Sequence, residues 1–286
     1  MGGSTHREIL LVPHLFRASN IDSAARATEL LQDAGIAVRL LEQEQMDVIE
    51  TNPVLCGLSR AASNGDAAAG CELVLVLGGD GTFLRAAGFA RAQDIPVLGI
   101  NLGHVGFLAE GEAASLEKVI GQVIDRSYRV VERMTLDIAV IGEHGDVLGR
   151  GWALNECSIE NSDRSRVLDA TLEVDFRPVS SFGCDGVLIS TPTGSTAYAF
   201  SAGGPVMWPQ LDAILVVPNN AHALFAKPLV VAPTSTVAVE SERQTTQATA
   251  VMDGQRRLTV PSGSRVEVVR GERPVRWVRL DDRPFT

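Results

Sequence analysis

Apolar positions form short continuous runs in the first third of the chain and alternate with polar ones in the rest. Glu8-Ile9-Leu10-Leu11-Val12 has strand length, and Ile21, Ala25, Thr28 and Leu31 recur at helical spacing between a candidate cap at Asn20 and a stop at Gly35. Ile36 to Leu41, Glu72 to Leu77 and Ile95 to Ile100 read as further strands, the second apolar enough to be covered on both faces as in a parallel sheet. Leu116, Val119, Ile120, Val123 and Ile124 mark one face of a helix beginning near Ser115. After Tyr128 the period drops to two. Leu136, Ile138 and Val140 alternate, as do Leu168, Ala170, Leu172, Val174 and Phe176, with further strands at Val187 to Ser190, Ala213 to Val217, Val237 to Glu240 and Val266 to Val269.

The pattern predicts an α/β domain over residues 1–127 with an open, mainly parallel sheet, and an all-β, sandwich-like domain over residues 128–286. The final strand, Val275 to Leu280, is a candidate to return to the first domain. A helix around Thr196 to Ala202 is the exception in the second half, and Ser59 to Gly70, Asn161 to Arg166 and Ser241 to Gln247 read as loops.

Composition narrows the function. With 25 Lys and Arg against 35 Asp and Glu, the net charge of −10 gives no general attraction to nucleic acid or to an anionic membrane. No apolar run approaches the roughly 18 residues of a membrane span, and Met1 to Arg7 carries no export signal, so a cytoplasmic location is expected. Cys56, Cys71, Cys157 and Cys184 form no Cys-x-x-Cys pair and read as reduced thiols, and no metal site built from protein side chains is expected.

Candidate chemistry begins at Leu77-Gly78-Gly79-Asp80-Gly81-Thr82-Phe83. Glycines between a buried strand and a helix let the backbone approach a phosphate, and the helix N-terminus favours an anion. Asp80 is anomalous there, because a carboxylate repels phosphate unless it binds a metal or accepts a proton. It points to chemistry at a hydroxyl beside a phosphate, although a helix-capping role fits the same position. The loop after the first strand lacks the G-x-G-x-x-G turn, and no G-x-x-x-x-G-K-[ST] occurs, so a standard dinucleotide dehydrogenase and a P-loop enzyme are excluded. H-E-x-x-H and G-x-S-x-G are also missing. A second segment, Asp185-Gly186 followed by Thr191-Pro192-Thr193-Gly194-Ser195-Thr196-Ala197-Tyr198, runs a strand into a hydroxyl cluster with a stacking aromatic. Asn155-Glu156 adds an amide and a carboxylate at a strand end.

These segments, with Asn101 to Leu108 between them, resemble bacterial NAD kinases in order and spacing over nearly the whole chain. Gly-Gly-Asp-Gly alone is also similar to diacylglycerol and sphingosine kinases, and more distantly phosphofructokinases; the Thr-Pro-Thr-Gly-Ser-Thr-Ala-Tyr and Asn-Glu elements narrow the choice. The resemblance implies transfer of a phosphoryl group from ATP or inorganic polyphosphate to the 2′-hydroxyl of the adenosine ribose of NAD, which lies between the two domains in that family. It makes Asp80 the base, brings Gly79, Gly81 and Thr82 to phosphates, and implies a divalent cation, Mg²⁺, to offset their charge. Asn155 and Glu156 match the pair holding a ribose, and Asp185 an acidic dinucleotide ligand. Thr196, Ala197, Tyr198 and Ser201 match the adenine and ribose pocket, with Phe83 as an apolar wall and Arg85 and Arg166 as basic contacts. Asp253-Gly254-Gln255 and His222 match further family positions, the first equally compatible with a plain β-turn. A homodimer or homotetramer is implied, with no nucleic-acid or membrane partner. The other readings are a diacylglycerol-type lipid kinase and a non-catalytic NAD-binding regulator.

Overall fold

The computed structural model describes residues 6–14, 18–42, 46–101, 111–112, 116–163, 166–221, 227–241 and 247–280. The segment 102–108, His222 and the larger part of the Ser241 to Gln247 loop lie outside them.

The chain opens with β1 (Glu8–Pro13), α1 (Ala18–Asp33), β2 (Ala37–Leu41), α2 (Met46–Thr51), β3 (Ser59–Ala61), β4 (Leu73–Leu77), α3 (Asp80–Ala92), β5 (Val97–Asn101), β6 (Gly111–Glu112), α4 (Leu116–Ile124) and β7 (Arg129–Arg133). It continues with β8 (Leu136–Ile141), β9 (Val147–Ala153), β10 (Glu156–Asn161), β11 (Leu168–Val174), β12 (Arg177–Cys184) and β13 (Gly186–Ser190). A 3₁₀ turn (Thr193–Thr196) and the short helix α5 (Tyr198–Ser201) follow. Next come β14 (Ile214–Asn219), β15 (Leu229–Val231), β16 (Val237–Ser241), β17 (Ala248–Met252), β18 (Arg256–Val260), β19 (Arg265–Arg270) and β20 (Val275–Arg279).

Two compact units result, Met1–Glu132 with Val275–Thr286, and Arg133–Pro274. In the first, one sheet has the order β3-β2-β1-β4-β5-β20-β7, with β6 beside β5. β1 pairs in parallel with β2 and β4, and β4 with β5. The five residues of β4 are all buried, which a central strand requires and the run Leu73-Val74-Leu75-Val76-Leu77 supplies. Gly35, at φ 75°, ends α1 in a left-handed turn, its N–H on Gln32 O and that of Ile36 on Leu31 O. The connection from β1 goes to β2 on one side and that from β4 to β5 on the other. The carboxyl ends of β1 and β4 therefore form the switch point at which open α/β sheets bind ligands.

The second unit stacks two six-stranded antiparallel sheets, β15-β14-β13-β10-β17-β18 and β12-β11-β16-β19-β8-β9. Their inner faces supply one apolar core: Leu136, Ile138 and Val140 from β8 alternate with partly exposed residues and meet Cys157, Ile159, Val187 and Val216 of the other sheet. The Ser59 to Gly70 stretch departs from the loop expectation, because Ser59–Ala61 adds an edge strand parallel to β2.

Candidate active site

In the first unit, β4 ends at the Gly78-Gly79 corner and α3 starts directly at Asp80. Gly78 is forced by packing: its N–H donates to Ile100 O, and a Cβ there would come within 2.9 Å of His14 Cβ and 3.0 Å of Thr82 Oγ1. Gly79 and Gly81 are different. Both are exposed, and apart from their chain neighbours and own helix nothing lies within 4 Å of where a Cβ would sit, so a ligand can approach closely there. The N-cap residue is Gly79, which has no side chain to cap with, and the half-buried Asp80 is the first helical residue. Thr82 Oγ1 lies 3.4 Å from His14 Nδ1. This places the loop and His14 together at the switch point.

Phe83 is 2% exposed and packs on Trp277 of β20, ring centroids 4.5 Å apart, as a core residue. Arg85 is exposed on α3.

In the second unit, the corner between β9 and β10 carries Asn155 and Glu156, both buried, with Asn155 Oδ1 and Glu156 Oε2 lacking any hydrogen-bond partner. Buried polar atoms are seldom left so. Glu156 faces Ser190 across the β10–β13 ladder, and the Thr191 to Tyr198 turn wraps over it. Thr191 Oγ1 donates to Leu154 O at 2.6 Å and accepts the Gly194 N–H, while Ser190 Oγ and the Thr191 N–H donate to Asn155 O. Ser195 Oγ donates to Pro192 O and accepts the Met207 N–H, tying the turn to the returning chain. The hydroxyls of Thr191 and Ser195 are thus spent on building the site. Tyr198 begins α5, its N–H toward the Glu156 carboxyl and its half-exposed ring reaching Asn219, whose Nδ2 lies 3.4 Å from the phenol oxygen.

Asp185 sits at the other end of β13, exposed, its N–H on Asn219 O and its carboxylate accepting Asn220 Nδ2 at 2.8 Å. Tyr198 therefore links the Asn155–Glu156 corner to the Asp185 corner. Ala197 is half-buried, Ser201 is exposed, and Thr196 bonds weakly to Thr193 O at 3.4 Å. Arg166 is not brought to this cluster: it is exposed and pairs with Asp163 at 3.5 Å.

Asp253 and Gly254, at φ 54° and 68°, form the tight turn between β17 and β18. The Asp253 side chain turns inward and accepts the N–H groups of Leu154 at 3.0 Å and Asn155 at 2.7 Å. Sequence reading left this turn open between β-turn and ligand contact. Its inward bond to residues about a hundred positions earlier leaves no local signal.

Burial, reinforced by the Asp253 carboxylate, pushes the Glu156 carboxyl up to about 8, against the pull of the Tyr198 N–H. Between its ordinary value of 4.5 and about 8, the folded chain keeps a proton that the unfolded chain has lost. The group's contribution to stability is therefore full below that window and declines as pH rises through it. Without NAD, Glu156→Gln is expected to melt above the parent by a margin that widens from about pH 5 to about pH 8.5. A margin independent of pH in thermal melts would show that Glu156 titrates as an ordinary carboxyl.

Among the described residues no cluster of three or more His, Cys, Asp or Glu side chains could hold a metal ion, and no helix is long and apolar enough to cross a membrane. Cys71, Cys157 and Cys184 are buried free thiols and Cys56 an exposed one.

The architecture is that of solved dinucleotide kinases. A yeast NADH kinase complexed with NADH superposes with a TM-score of 0.83 at 21% identity, covering 96% of this chain and 83% of that one. An NAD kinase from Archaeoglobus fulgidus in complex with ATP gives a TM-score of 0.70 at 24% identity, covering 97% and 94%. Family models for the ATP-NAD kinase N-terminal and C-terminal domains match residues 9–128 and 154–280. The NAD kinase of Corynebacterium efficiens is 68% identical over all of this chain and 90% of its own length, and that of Corynebacterium diphtheriae 64% identical over 98% and 88%. The chain belongs to the ATP-NAD kinase family. Its reaction is the phosphorylation of NAD.

Proposed function

We propose that the chain transfers a phosphoryl group from ATP or inorganic polyphosphate to the 2′-hydroxyl of the adenosine ribose of NAD, with Asp80 accepting the hydroxyl proton. The carrying observation is the pair of buried, unpartnered acceptors, Asn155 Oδ1 and Glu156 Oε2, beside Tyr198, a vacancy in hydrogen bonding that suits ribose hydroxyls. A carboxyl protonated near neutral pH donates from one oxygen and accepts at the other, which matches a vicinal diol. Tyr198 offers a ring face to the adenine, and Asp185 an acceptor further along the dinucleotide. Arg85 and Arg166, both exposed, would supply basic contacts to phosphate.

The backbone at Gly79 and Gly81, with Thr82, receives phosphate oxygens at the start of α3. Such a loop reads phosphate chains without reading a base, which is compatible with both donors. A divalent cation such as Mg²⁺ would accompany the phosphates and supply charge neutralisation. The exposed Phe200, Val206, Trp208 and Leu211 provide apolar surface suited to a homodimer or homotetramer, and the expected location remains the cytoplasm.

The test is NADP formation from NAD and Mg²⁺ with ATP and polyphosphate supplied separately. Product phosphorylated at the 2′ position with either donor is expected. Phosphorylation elsewhere, or none with both donors, would overturn the assignment.

A further inference from the structure

The Asp253-Gly254-Gln255 turn between β17 and β18 needs residues tolerant of positive φ at its first two positions, and asparagine followed by glycine would serve there as well as Asp253-Gly254. The carboxylate at Asp253 is therefore not there for the turn. Its side chain is fully buried and has a donor set of its own. Burial raises the Asp253 carboxyl above its ordinary value, the N–H groups of Leu154, Asn155 and Glu156 and the Arg256 guanidinium oppose that rise, and its own N–H returns to Glu156 O at 3.0 Å. Arg256 closes the set from β18, Nη2 at 2.5 Å, and lays its guanidinium over the Trp152 ring at 4.0 Å from the centroid. Three successive amides of the β9–β10 corner are thus wrapped on one acid, itself anchored to the end of β9 and the start of β18.

We propose that Asp253, held by Arg256, is a positioning residue for NAD: it fixes the Leu154 to Glu156 backbone so that the unpartnered oxygens of Asn155 and Glu156 are aimed at the ligand before it arrives. This rests on the reading that Asn155 and Glu156 hold NAD. Pre-aimed acceptors leave less ordering to be done on binding, so loss of the anchor is felt as lost affinity. The groups facing Glu156 are Asp253 from the β17–β18 turn and the Tyr198 N–H from α5, while the next residue on β10, Cys157, turns its buried thiol into the sandwich core. Arg256 acts on it through Asp253.

Opposite signs make the proposal testable. Asp253→Asn keeps one acceptor oxygen but removes the like charge beside Glu156, so the pH transition in NAD affinity moves down. Arg256→Gln leaves the amide bonds in place and the carboxylate uncompensated, so the transition moves up. NAD titration calorimetry from about pH 6 to about pH 9.5 on the parent, both variants and Glu156→Gln reads these shifts. Expected are a weakening of NAD binding of about tenfold in Asp253→Asn, displacements in the two directions stated, and loss of the transition in Glu156→Gln. A purely structural Asp253 would lower the melting temperature and leave the transition where it is in both variants, which overturns the proposal. Should Asp253→Asn fail to fold, an unmoved transition in Arg256→Gln overturns it alone. Parent-like affinity and transition in Glu156→Gln would instead remove the reading of Asn155 and Glu156 beneath it.

Discussion

Asp80→Asn is expected to lower kcat for NADP formation by about 10²–10⁴ while NAD affinity stays within a few-fold of the parent, because a positioned base contributes that much to proton transfer. The substitution is nearly isosteric, and Asp80 begins α3 without serving as its cap, so the helix start at Gly79 should survive. Charge separates this from a binding role. A carboxylate next to phosphate costs affinity by repulsion, so its removal should leave the donor KM unchanged or lower it. A raised donor KM with an unchanged kcat would mean that Asp80 binds and does not accept a proton. Steady-state kinetics with the donor varied, alongside NAD calorimetry, distinguishes the outcomes; turnover equal to the parent's would remove Asp80 as the base.

Much of the fold was legible because local pattern and tertiary role agree. A strand buried on both faces, such as Leu73 to Leu77, must be continuously apolar, and a sandwich strand such as Leu136 to Ile141 must alternate. β9 escaped for a physical reason. Gly149 and Gly151 break its pattern, yet the structure needs them: a Cβ at these positions would meet Leu258 Cδ2 at 3.0 Å and Met252 Sδ at 2.3 Å. Side chains from β17 and β18 fill the space that β9 leaves empty, and no reading of β9 alone reveals this.

The site was legible as motifs but not as roles. Gly79, Asp80 and Gly81 sit where the strand-to-helix reading put them. Within the hydroxyl cluster the pattern does not separate ligand contacts from structural ones: the hydroxyls of Thr191 and Ser195 are consumed by backbone partners at Leu154, Pro192 and Met207. Phe83 belongs to the core because its partner, Trp277, arrives on the last strand. Each of these assignments depends on a contact distant in sequence, which periodicity cannot carry.

Gly194→Ala is expected to destabilise the chain by roughly 3 kcal/mol, the upper part of the usual overpacking range, and to weaken NAD binding at least about tenfold. A Cβ at Gly194 would lie 2.1 Å from Asn155 O, 2.4 Å from Asn155 C and 2.6 Å from its Cα. All three obstacles are backbone, so no rotamer change relieves them. Nor can the corner retreat cheaply: Asn155 O accepts the Thr191 N–H and Ser190 Oγ, and the Asn155 N–H is held by Asp253. Either the Thr191 to Thr196 turn lifts off or Asn155 moves, and both disturb the acceptors proposed for NAD. Gly121→Ala is the matching control. That glycine lies inside α4 with no atom within 4 Å of its Cβ position, so alanine there should be neutral or stabilising by up to about 1 kcal/mol through helix propensity. Thermal melts of the two variants should therefore move in opposite directions, and a Gly194→Ala protein that melts and binds NAD like the parent would show that the turn and the corner are not in contact.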